Sequence, residues 1–117
     1  MRSVVCVSAA ISAALLLGTA SAYAASAENG RKVYTAVGCW QCHGTVGQGG
    51  VTGPKLAPDP MPYETFVSVV RTTNRTMPAY REPVLPNSDL ADIYAYLQSV
   101  PKPADYKSIP LLEQMSR

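Results

Sequence analysis

Histidine occurs once in the 117 residues, as do phenylalanine and tryptophan, and cysteine occurs three times. A single imidazole excludes ligation of any centre by two histidines of one chain. Charge is sparse and nearly balanced, with ten Lys and Arg against eight Asp and Glu, so there is no basic footprint for nucleic acid. No internal repeat and no alternating apolar–polar run is present, which removes the signal of a sheet protein. Cys6 lies in the N-terminal apolar stretch, so a chain shorn of that stretch keeps two cysteines, Cys39 and Cys42, and has no structural disulfide outside that pair.

The N-terminus has the layout of a secretory signal peptide. Arg2 precedes an uncharged run from Val4 to Leu17, followed by the small residues of Gly18 to Ala24. Cleavage sites after Ala22, Ala24 and Ala27 compete. The last would put an α-ammonium at the start of the first helix, against its dipole, and Ala24 is the favoured site. The chain then divides into residues 1–24 as signal peptide, 25–101 as one domain and 102–117 as a tail. An uncleaved anchor is the alternative, but the run is short for a span and is diluted by Ser8 and Ser12. Cys6 stands at the front of the run rather than its end, which argues against a lipoprotein. Export implies a compartment in which thiols can oxidise.

Cys39-Trp40-Gln41-Cys42-His43 is a C-x-x-C-H run, the pattern of covalent haem attachment. The two thiols add to the haem vinyl groups, and the adjacent His43 ligates iron from the proximal side. A dithiol redox motif needs a βαβ setting that is missing, and a structural zinc needs a fourth ligand beyond these three. About ninety residues form a marginal core, so a large covalently held apolar cofactor is expected to complete it and the haem-free chain to be largely unfolded.

Gly30, Val33, Tyr34 and Val37 form a helical stripe that stops at Gly38. From Gly44 to Pro62 the chain is rich in Gly and Pro and reads as loop. Phe66, Val67 and Val70 predict a short helix over 64–71, followed by loop over 72–86. Leu90, Ile93, Tyr94 and Leu97 predict the longest helix, with Asn87 and Ser88 as N-cap candidates, Asp89 and Asp92 in its first turn, and Pro101 as its stop. The tail carries Tyr106, Ile109, Leu111 and Leu112 between Pro103 and Pro110, a pattern that suits an extended course; it leaves packing undecided.

The sixth iron position falls to methionine, water or nothing. Met61, Met77 and Met115 follow the leader. Met77 lies in the Pro78-stiffened loop between the second and last helices, where it can fold over the distal haem face. Met61, also before a proline, lies in the segment expected on the proximal side, and Met115 is a tail residue. Met77 is therefore the expected ligand, its soft thioether suiting a His/Met centre of raised potential. Arg71, Arg75 and Arg81 bracket it, and three roles stand open: holding haem propionates, facing an acidic partner, or solvating the loop.

Gly30 and Tyr34, Cys39 to His43, Gly53-Pro54-Lys55-Leu56, Met77-Pro78 and Ile93-Tyr94-Ala95-Tyr96-Leu97 together resemble the class I cytochrome c family in its small bacterial periplasmic form. The resemblance spans essentially the whole chain after the leader. It implies an all-α fold in which the N- and C-terminal helices cross at Gly30, bringing Tyr34 to Ile93, Tyr96 and Leu97, with loops wrapped around one covalently bound haem c. It also implies that the Pro54 carbonyl accepts a hydrogen bond from His43. The function implied is single-electron transfer between redox proteins such as a periplasmic dehydrogenase, a terminal oxidase or another cytochrome, with no enzymatic chemistry of its own. Two further readings are a haem subunit held permanently in a dehydrogenase complex and a ligand-binding haem protein with an open distal site.

Overall fold

The computed structural model describes residues 24–116; the signal-peptide expectation for residues 1–24 falls almost wholly outside them. The described chain is helical and without strands, as expected of an all-α small cytochrome c-like fold. None of its helices is long and apolar enough to cross a membrane. The helices are α1 (Ala27–Ala36), α2 (Trp40–His43), α3 (Tyr63–Thr72), α4 (Asn87–Ser99) and α5 (Pro110–Met115), with a 3₁₀ turn at Tyr106–Ser108.

Helix α1 begins because the Ser26 hydroxyl accepts the Asn29 N–H at 3.2 Å and Glu28 sits at the positive end of the dipole. It stops as the chain turns through Val37 and Gly38 towards Cys39. Its apolar stripe packs on α4, burying Tyr34 against Ile93, Tyr96 and Leu97. Gly30 makes the crossing possible, since a Cβ there would be driven into the carbonyl of Asp92. The rings of Tyr34 and Tyr96 meet edge to face at 5.5 Å between centroids.

Asp92 departs from the sequence expectation. It is fully buried rather than complementing the dipole of its own helix. It accepts the Ser26 backbone N–H and the Asn29 side-chain amide, each at 2.7 Å, and so locks the start of α1 to the middle of α4. The cap of α4 also differs. Helix α4 starts after Pro86 with no side-chain cap, and Asn87 is drawn sideways, accepting from Arg71 and donating to Glu82. Asp89 stays in the first turn as expected.

Helix α3 starts after Pro62 and buries Phe66 and Val70. Tyr63 and Phe66 meet the ring of Tyr94 on α4 at centroid distances of 5.1 and 5.5 Å. The tail is not an extended strand. It coils into the 3₁₀ turn, where Asp105 caps Lys107, and then into α5 with Pro110 in its first turn. Leu111 and Met115 are 66 and 76 % exposed, so this coil does not join the core.

Candidate functional site

The sequence places its cysteines at the end of a stretch that α1 delivers. After Gly38 the backbone rewinds into α2, an element too short to show an apolar stripe in the sequence; its bonds run from His43 N–H to Cys39 O at 3.0 Å and from Gly44 N–H to Trp40 O at 3.0 Å. One turn of helix thus presents Cys39, Cys42 and His43 together. Its exit is held from both crossing helices: Tyr34 donates its hydroxyl to the Gly44 carbonyl at 2.7 Å, and Tyr96 to the Thr45 carbonyl at 3.2 Å. These tyrosines are core residues, as read from the sequence, and they also anchor the motif.

His43 is buried, and its Nδ1 lies 2.8 Å from the Pro54 carbonyl oxygen. A carbonyl only accepts, so the proton of the neutral ring belongs on Nδ1 and Nε2 keeps its lone pair. Gly53 permits this approach: a Cβ there would lie 2.9 Å from His43 Nδ1 and 2.8 Å from the Cys42 carbonyl.

Cys39, Cys42, His43 and Pro54 line a cleft of about 310 Å³ whose opposite wall is α3 and the loop of Met77. Leu56, Phe66, Val70, Leu85 and Leu90 make its surface apolar. Val69 and Met61 at its margin are 42 and 39 % exposed, leaving apolar surface that a flat apolar group would cover. Burial pushes the Cys39 thiol up to about 11, the opposite of the lowered value that makes a dithiol redox motif reactive. Among the described residues no three His, Cys, Asp or Glu side chains gather as a metal cluster, which leaves a zinc site without its ligands. The donor set and the apolar walls fit haem.

Both Met77 and Met61 line this cleft. His43 lines it as well, so a place in this cleft is compatible with the proximal side expected of Met61, whose loop bends back before α3. Tyr94 fixes it there by donating to the Met61 carbonyl at 3.0 Å. The two methionines differ in setting: Met77 is partly buried and packs on the core, whereas Met61 is exposed at the rim. Met115 does not line the cleft. Of the three arginines, Arg71 is committed inside the molecule, donating to the Tyr80 carbonyl and to Asn87 Oδ1 at 2.7 Å each. Arg75 lines the cleft, and Arg81 is exposed.

A larger cleft of about 490 Å³ lies between the 46–59 loop and residues 100–103, bordered by the 3.1 Å ion pair of Lys102 and Asp59. No cysteine, histidine or methionine lines it, so the chemistry belongs to the smaller cleft.

No curated protein and no solved structure gives a significant match to the chain. The model of the family described as "Cytochrome C oxidase, cbb3-type, subunit III" matches residues 25–97, more than half of the sequence. The match takes in α1 through most of α4 and both walls of the cleft, and leaves out the tail. The chain belongs to this family of cytochrome c domains, which bind haem and pass electrons to redox protein partners.

Proposed function

We propose that the protein is an exported, periplasmic monohaem c-type cytochrome that carries single electrons between redox proteins and is not itself an enzyme. One haem c is attached through Cys39 and Cys42, with His43 and Met77 as its iron ligands and Pro54 orienting the histidine. The observation that carries this reading is His43: its Nδ1 is occupied by Pro54, its Nε2 lone pair is free to ligate, and it shares an apolar cleft with the two thiols and Met77. When bound, haem supplies the one-electron Fe(II)/Fe(III) couple.

The chain's own part is to hold and to exclude. Pro54 stops rotation of the imidazole and makes it a stronger donor. Met77 offers an uncharged thioether, which favours the reduced state and raises the potential. Leu56, Phe66, Val70, Leu85 and Leu90 exclude water from the iron environment. Export is supported by the leader-like N-terminal sequence.

The test is the optical spectrum of holoprotein made with haem-maturation machinery, beside that of Met77→Ala. The unmutated oxidised protein is expected to show the weak far-red sulfur-to-iron charge-transfer band, and the variant to lack it. Absence of that band from the unmutated protein, together with ready carbon monoxide binding when reduced, would replace the carrier by a ligand-binding haem protein.

A second reading, a haem subunit fixed permanently in a larger oxidoreductase such as a dehydrogenase complex, is favoured by the tail. Tyr106, Ile109, Leu111, Leu112 and Met115 are all exposed there, beyond the family match, and the family itself is described as an oxidase subunit. Size exclusion of natural material separates the two, since a carrier that docks transiently elutes alone.

A further inference from the structure

Met77 sits in a segment of fourteen residues, 73–86, that contains no helix. A thioether is a neutral donor with no charge to draw it to iron, so its ligation depends on how firmly that segment is held. We propose that Tyr80 and Arg71 are positioning residues that clamp the Met77 loop against the haem-attachment turn, an inference that rests on Met77 being the axial ligand.

Tyr80, three residues after Met77, is engaged through every polar group it has. Its N–H donates to the Val70 carbonyl at 2.9 Å, its carbonyl accepts from Arg71 at 2.7 Å, and its hydroxyl donates to the Val37 carbonyl at 2.9 Å. Val37 is the C-cap of α1, two residues before Cys39. One side chain thus ties the loop that carries Met77 to the turn that carries the first cysteine. Arg71 braces the same loop at its far end. Its second terminal nitrogen donates to Asn87 Oδ1, and Asn87 donates to Glu82 at 2.9 Å, so the last turn of α3, the loop and the first turn of α4 are joined. The guanidinium reaches the two acceptors through two separate nitrogens in a fixed fork, a geometry that the single nitrogen of a lysine does not reproduce.

The test compares holoprotein of the unmutated sequence with Tyr80→Phe and Arg71→Gln, reading the far-red band of the oxidised form, the midpoint potential and the affinity for added imidazole. Each variant is expected to bind imidazole about tenfold more tightly, the scale of one lost hydrogen bond that leaves a partner unpaired, with a weakened band and a lower potential. Arg71→Lys is expected not to restore the unmutated behaviour. Asn87→Ala, which removes the acceptor at the end of the brace, shifts imidazole affinity in the same direction and serves if Arg71→Gln fails to accumulate.

Asp92→Asn is the structural control. It weakens the α1–α4 lock without touching the loop, so it lowers the melting temperature and leaves imidazole affinity unchanged. If Tyr80→Phe and Arg71→Gln keep the band and the imidazole affinity of the unmutated protein, or if Asp92→Asn shifts them equally, the clamp is overturned and Met77 remains the ligand. If the unmutated protein has no band that Met77→Ala removes, the Met77 assignment falls and the clamp falls with it.

Discussion

The two helices that meet α4 are held against it in different ways. On one side α1 and α4 cross in direct contact, with Gly30 against the Asp92 carbonyl, Tyr34 edge-on to Tyr96, and a buried carboxylate joining the two helices. On the other, α3 meets α4 through the rings of Tyr63, Phe66 and Tyr94 at one end and the Arg71–Asn87 bond at the other, with the cleft opening beside it. The first side is a protein interface complete in itself. The second is a wall whose apolar face looks onto a space that the proposed cofactor fills. A chain of this size divides its stability between packing that it owns and packing that it borrows.

Removing the cofactor is the strongest way to break that comparison. In Cys39→Ser/Cys42→Ser, which cannot attach haem, far-ultraviolet circular dichroism is expected to lose most of its helical signal. Residual hydrogen-exchange protection should be confined to α1 and α4. Full native helicity, or protection of α3 equal to that of α1, would show that the second wall stands without help.

Gly30→Ala comes next and attacks the self-sufficient side. A methyl group forced into a backbone carbonyl should cost about 3 kcal/mol, read as a lowered urea midpoint with the slope unchanged. Asp92→Asn should cost about 2 kcal/mol, because one of two acceptor oxygens becomes a donor facing another donor. A cost near zero would mean that the polar lock is incidental to the crossing.

Alkaline pH sharpens the contrast more gently. Burial raises the Tyr34 phenol far above its ordinary value of 10.0, and burial raises Tyr80 as well. Both are acids whose folded state prefers the neutral form, so their contribution is complete below 10.0 and declines as pH rises through and beyond that value. Melting temperature should fall progressively above about pH 10, and Tyr34→Phe should flatten the fall. The smallest effect is expected for Glu28→Gln. The pair with Lys32, 2.8 Å apart, is open to water on both sides, and its loss should move the melting temperature by no more than the scatter of repeat scans.

The sequence was most legible where spacing itself is the mechanism. Helical stripes located α1, α3 and α4, whereas Gly30 at the crossing came through the family resemblance, and the structure supplies its reason in the Asp92 carbonyl that a Cβ would meet. Asp92 was read wrongly for a physical reason: an acidic residue near a helix start suits the dipole whether it faces water or the core, and its donors lie 63 and 66 residues away. Asn87 was misplaced likewise, since its side chain serves distant Arg71 rather than its own helix end. Of the site, Cys39, Cys42 and His43 are adjacent in sequence and were read as a unit. Pro54 came through the family resemblance rather than through its own residues, and the structure brings its carbonyl to His43 Nδ1. The Tyr94 bond that holds the Met61 loop at the rim of the cleft had no signal in the sequence, because it depends on how a Gly- and Pro-rich loop bends. The Tyr80 anchor was hidden too, as its hydroxyl reaches back 43 residues.

The bond from the Ser26 N–H to Asp92 also sets how far the front of the chain can be trimmed. A terminus is usually the first part of a domain to fray, but here residue 26 is stitched to the buried middle of α4. An exopeptidase working inwards would meet a tied end at Ser26. A processing enzyme that cut after Ala27 would remove both the cap of α1 and a donor to the buried Asp92 carboxylate. Cuts after Ala22 or Ala24 leave that stitch whole.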